Sequence, residues 1–148
     1  MRHTNLIIVL LYWGCIACVQ LGMHLPTATA FDASKKVLVL HSYHKGLGWT
    51  DSISWGIEAE LAKSPLPVEL FYEFMDTKRV FDDDYLQDLL GMYRHKYKSR
   101  RFDAIISSDD HAFRFLLAHQ HLIFPQTPVV FCGVNYFQDS FIADRPHI

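Results

Sequence analysis

Three segments of this chain are runs of apolar, β-branched residues too short for helices. Lys36-Val37-Leu38-Val39-Leu40 has no polar alternation, and neither has Pro128-Val129-Val130-Phe131. Phe102-Asp103-Ala104-Ile105-Ile106-Ser107 is nearly as apolar, and a fourth run extends from about Val68 to Phe74. Short runs without period-2 alternation suit strands buried on both faces, as in parallel sheets. Between them the spacing changes to that of helices. Ile53, Ile57 and Leu61 recur along the first intervening segment, with Thr50 as its expected N-cap and Gly56 as a point of close approach to the sheet. Ser64-Pro65-Leu66-Pro67 ends this helix. The second opens on Asp82, Asp83 and Asp84, buries Leu86, Leu89, Leu90 and Tyr93, and closes on Arg94, His95, Lys96 and Lys98, complementing the helix dipole. A third, capped by Asp110, carries Phe113, Leu116 and Leu117.

The resulting order, β-α-β-α-β-α-β with short connections, predicts an α/β fold. Its expected form is a three-layer, Rossmann-like, doubly wound parallel sheet. Ligands of such sheets bind beyond the carboxyl ends of the strands, where the strand order switches. Four polar loops fall there: Ser42 to Trp49, Met75 to Arg79, Ser107 to Asp110, and Cys132 to Asn135. Ser42, Tyr43, His44, Trp49, Asp76, Thr77, Ser108, Asp109, Gly133 and Asn135 are therefore the candidate ligand-binding residues. Together they offer an aromatic wall with a few donors and acceptors, the combination small-molecule sites use. Turn and cap chemistry is the plain alternative at each position, above all for Asp110 and Gly133.

Composition changes the picture at the amino terminus. Residues 1–30 contain Arg2, no acidic residue, an apolar run from Leu6 to Val19 and the small stretch Ala28-Thr29-Ala30. This is the order of a secretory signal peptide cleaved after Ala30, which places the mature chain, 31–148, in the periplasm or another extracytoplasmic space. An uncleaved anchor and a lipoprotein acylated at Cys18 are the alternatives, although Gln20 interrupts the run before membrane-spanning length. Cleavage takes one of 14 basic and none of 16 acidic residues, so the mature net charge is −3. That charge suggests neither a nucleic-acid partner nor electrostatic attachment to a membrane. Cys132 is then the sole cysteine, so the core and not a disulfide holds the domain.

Catalytic and cofactor signals are weak, and no enzyme activity, metal or cofactor is expected. No glycine fingerprint or P-loop is present, and His41, His44, His119 and His121 do not form a zinc-type cluster. A phospho-acceptor receiver needs an acidic pair after its first strand, where this chain has His41-Ser42. The basic stretch Tyr93 to Arg101 is expected to be a solvated helix end. An exported thiol hydrolase using Cys132 is the alternative from another class.

Five stretches carry a resemblance. They are Val37 to His44, Gly48-Trp49-Thr50, Met75 to Arg79, Phe102 to Asp110 and Pro128 to Asn135. In this order they resemble extracytoplasmic sensor domains of the ABC-transporter substrate-binding-protein type, and the tryptophan/tyrosine-type solute-binding proteins. The resemblance implies the first lobe of a type I periplasmic-binding-protein-like fold, closing with a second lobe over an amino acid or other small organic solute. It implies a role as the input of a histidine kinase or diguanylate cyclase, or alternatively as the solute-binding component of an ABC importer with its permease. Relative to that pattern residues 31–148 are expected to be a truncated first lobe, with the second lobe and output module missing.

Overall fold

A computed structural model describes residues 34–148, and the expected signal peptide lies outside the described residues. Strands β1 (Lys35–His41), β2 (Val68–Phe74), β3 (Ala104–Ser108) and β4 (Val129–Cys132) alternate with helices α1 (Gly48–Leu61), α2 (Asp83–Tyr97) and α3 (Asp109–Ile123). A single turn of 3₁₀-helix, Asp139–Phe141, follows. All strand pairs are parallel, in the order β2-β1-β3-β4, so the fold is the expected α/β sheet. Among the described residues no helix is long and apolar enough to cross a membrane.

The pleat divides the strands between two unequal layers. Leu38, Leu40, Ile105 and Val129 join the main core with Leu89, Leu90, Tyr93 and Tyr97 of α2 and Ala112, Phe115, Leu116 and Ile123 of α3. Met75, Phe102 and Phe124 close its ends. Removing a side chain such as Leu116, which is wholly buried, costs about 2–5 kcal/mol in such a core. Glu73 of β2 ties the sheet to α2 by accepting hydrogen bonds from Lys96 and Tyr97.

The opposite face holds α1. Ser54 Oγ lies 3.0 Å from His41 Nε2, and Tyr72 OH donates to Glu58 at 2.8 Å. The His41 ring is stacked with those of Tyr72 and Phe74, whose strand positions share its face. This layer is thinner than the periodicity of α1 suggests. Ile53, Ile57 and Leu61 are half-buried, and Trp55 is 68% exposed. The reason is lateral placement. By the register, Val130 and Cys132 lie on the same face as His41, yet Val130 is 58% exposed and Cys132 is exposed.

Several local expectations are corrected. Thr50 is not an N-cap: α1 begins at Gly48 after Leu47, and Thr50 is buried inside it. Gly56 is exposed, and a Cβ there would meet nothing within 4 Å, so it makes no close approach to the sheet. Leu86 is half-buried rather than buried. α3 runs on to Ile123, and β3 starts two residues later than expected, at Ala104. Asp82 does cap α2, accepting from Tyr85 N at 2.7 Å.

Candidate functional site

β1 runs on to β2 on one side, while β3 and β4 continue the sheet on the other, so the order switches between β1 and β3. The carboxyl ends of these two strands, His41 and Ser108, are register partners. Just beyond them the loops interlock through Ser42. Its N–H donates to Ser108 O at 3.1 Å, and its hydroxyl donates to the same oxygen at 2.8 Å. The hydroxyl also accepts from Ala112 N at 2.8 Å, satisfying a donor in the first turn of α3. Ser42 O in turn accepts from Thr77 N at 2.9 Å and from Thr77 Oγ1 at 2.6 Å. One serine thus joins the β1, β2 and β3 loops.

The interlock corrects the expected cap of α3. Asp110 does not cap the helix. Its carboxylate accepts instead from Asn135 N at 3.1 Å and Asn135 Nδ2 at 2.6 Å, tying the β4 loop to α3. The N-cap position is Ser108, whose hydroxyl donates to Asp109 Oδ2 at 3.1 Å, so the capping oxygen comes from Ser42, 70 residues away along the chain.

Asp109 is the centre of the mouth. It holds φ +70°, a left-handed conformation that costs a residue with a Cβ about 1–3 kcal/mol, though aspartate tolerates it better than most. Its carboxylate accepts from Trp49 Nε1 at 3.1 Å to each oxygen, and it lies 3.2 Å from where a Cβ on Gly133 would stand. Gly133, at φ +69°, therefore has both a conformational and a steric reason to be glycine. Burial pushes the Asp109 carboxyl above the usual range, against the bonds from Ser108 and Trp49 that favour its charged form. The indole of Trp49 stays 55% exposed, anchored only at its nitrogen.

Beside this pair stands a residue outside the expected set, His111. The Thr77 hydroxyl proton goes to Ser42 O, so Thr77 Oγ1 accepts from His111 Nδ1 at 2.8 Å. Neutral His111 therefore carries its proton on Nδ1 and keeps Nε2 as an acceptor. Its ring stacks on Phe81 with centroids 4.0 Å apart and meets Tyr43 edge-on. Burial lowers its pKa, which favours the neutral ring. Lys78 Nζ sits 4.9 Å over the Tyr43 ring, and burial with the charges of Asp109 and Asp110 keeps the Tyr43 phenol protonated. His111 lies in the first turn of α3, just past the polar loop Ser107 to Asp110. A histidine three residues after Ser108 was the available signal, and only the fold shows that this turn faces Thr77.

All ten expected residues lie at the carboxyl edge, in four groups. Ser42, Thr77 and Ser108 are buried and build the interlock. Asp109, Trp49 and Gly133 form the mouth, with Asn135 at its rim. Tyr43 borders His111. His44 and Asp76 stand apart as a pair, Nδ1 and Oδ1 at 3.2 Å without hydrogen-bond geometry, and Asp76 (φ +53°) also meets Arg79 at 3.3 Å. The edge presents carboxylate and imidazole acceptors, an ammonium and a phenol as donors, and three aromatic surfaces. Cys132 is exposed, but burial of its sulfur and the charge of Asp109 push its thiol pKa up, the reverse of an activated nucleophile. Among the described residues no group of three His, Cys, Asp or Glu side chains could hold a metal ion. No protein-family model, curated protein or solved structure matches this chain.

Proposed function

We propose that this protein binds a small organic solute at the β1/β3 switch, as an extracytoplasmic sensor input of the histidine kinase or diguanylate cyclase type. The observation that carries the binding reading is the interlock of Ser42, Thr77 and His111 beside the Trp49–Asp109 pair. Hydrogen bonds hold polar groups in fixed positions under an indole that is left more than half exposed. Loops tied to one another before ligand arrives lose little entropy on binding. An aromatic face next to a carboxylate and a neutral imidazole suits a solute with an apolar body and a polar or amino head. The sensor assignment rests on the five motif stretches and on the signal-peptide pattern. Solute delivery to an ABC importer is the second reading, supported by the same stretches. The thiol-hydrolase reading loses support from the raised Cys132 pKa.

The test is thermal unfolding of the full chain against panels of amino acids, purines and small organic acids, alongside Trp49→Ala. One class should raise the midpoint progressively with concentration, and Trp49→Ala should weaken that effect at least about tenfold. No rise with any class, or an equal rise in the variant, sinks the proposed site.

A further inference from the structure

The far end of the sheet carries a different chemistry. The α-to-β connections and the amino ends of the strands meet there, and the chain enters β1 at this end. A groove of about 480 Å³ is lined by Arg94, Lys98, Arg100 and Arg101, together with Tyr97, Leu122 and Pro125, and no acidic residue lines it. Arg94, Lys98 and Arg101 make no ion pair among the described residues, and the Arg100 guanidinium lies 4.7 Å over the Phe71 ring. Of the carboxylates at this end, Asp103 is taken by Lys35 at 3.5 Å and Glu60 by Lys63. Glu69, exposed on the same face of β2 as Phe71, forms no ion pair among the described residues.

The helix dipole accounts for basic residues in the last turn of α2, but not for Arg100 and Arg101, which follow the helix in the loop to β3. Crowding four cations round one groove is electrostatically unfavourable unless an anion shares it. We propose that this amino edge docks on anionic phospholipid membranes. The partner is argued from two features on the same end. The cations have no ion-pair partner among the described residues. Exposed Leu122 in the groove and exposed Leu66, in the turn before β2, supply apolar contacts for the acyl boundary. Docked this way, the edge that bears Trp49 and Asp109 points away from the bilayer. The proposal does not depend on what binds at that edge.

The experiment is co-sedimentation of the full chain with phosphatidylcholine vesicles, with and without phosphatidylglycerol. Only the phosphatidylglycerol-dependent part of binding is scored, because the apolar amino-terminal run is common to every sample. Wild type should gain about tenfold or more in partitioning from phosphatidylglycerol, and lose that gain at about 0.3 M salt. The Arg94→Glu/Lys98→Glu/Arg101→Glu variant should lose it at low salt. Lys45→Glu/Lys78→Glu/Arg114→Glu, with the same change in net charge, should retain it. An equal loss in both variants, a gain that survives salt, or no gain in wild type overturns the proposal. So does displacement by inorganic phosphate at constant ionic strength, which would mean a discrete anion site. Should the first variant not fold, the salt and phosphate arms on wild type still decide the matter.

Discussion

The two ends of the sheet differ in sign of charge and in hydrogen bonding. The carboxyl edge gathers Asp51, Asp76, Asp82 to Asp84, Asp109 and Asp110, ties its loops together through Ser42, and holds two aspartates and Gly133 at positive φ. The amino edge gathers Arg94, Lys98, Arg100 and Arg101 with few partners. A net charge of −3 for residues 31–148 conceals this separation, because totals carry no geometry. The difference teaches that the carboxyl edge is built as one interdependent unit, whereas the amino edge is a solvated surface. Substitutions at the first should therefore alter folding, and substitutions at the second should alter only what the surface meets.

The largest expected effect comes from acid. His41 is wholly buried at the end of β1, and burial lowers its pKa from 6.5 to about 4. The unfolded chain takes up a proton as pH falls through 6.5, whereas the folded chain resists until about 4. Stability is thus fully present above 6.5 and is lost between these values, by about 3 kcal/mol. His41→Phe, which keeps the stack with Tyr72 and Phe74, should flatten this loss in urea titrations across pH; an unchanged slope would place the acid sensitivity elsewhere.

Ser42→Ala should come next, at about 2 kcal/mol, because it strands the Ala112 N–H in a buried site. A cost below a few tenths, measured by chemical denaturation, would mean that the loops do not act as a unit. Gly133→Ala follows at about 1 kcal/mol, from its positive φ and the contact with Asp109. Asp109→Asn probes the charge at that point. Since the folded carboxyl has a raised pKa, ionisation disfavours folding, and wild type gains stability as pH falls through that pKa. The amide variant should lack this gain, and its Trp49 fluorescence should no longer titrate with pH. Smallest of all, Arg101→Ala at the other end should stay within about 0.5 kcal/mol of wild type. A larger change there would break the contrast between the ends.

Much of the fold was legible along the chain. β2 falls where its run of residues places it, and Val37 to Leu40 are buried on both faces as an unalternating run requires. Asp82 caps α2 because that bond is local, spanning three residues. Thr50 and Asp110 were misleading for the same reason in reverse. Each has cap chemistry, but a cap also needs a particular backbone position, and at α3 the role is filled by Ser42 from the loop after β1. His111 could not be picked out from its neighbours, since its importance comes from Thr77, 34 residues earlier.

The sequence by itself determined the strand-helix alternation, the parallel sheet and the edge at which the polar loops gather, because apolar periodicity and local turn chemistry act over a few residues. Only the tertiary structure decided which of those polar groups are fixed struts and which stay open. It also brought Arg94 of α2 to one groove with the loop cations Lys98, Arg100 and Arg101. Both outcomes depend on which strands are neighbours, and that is settled by packing across the whole sheet.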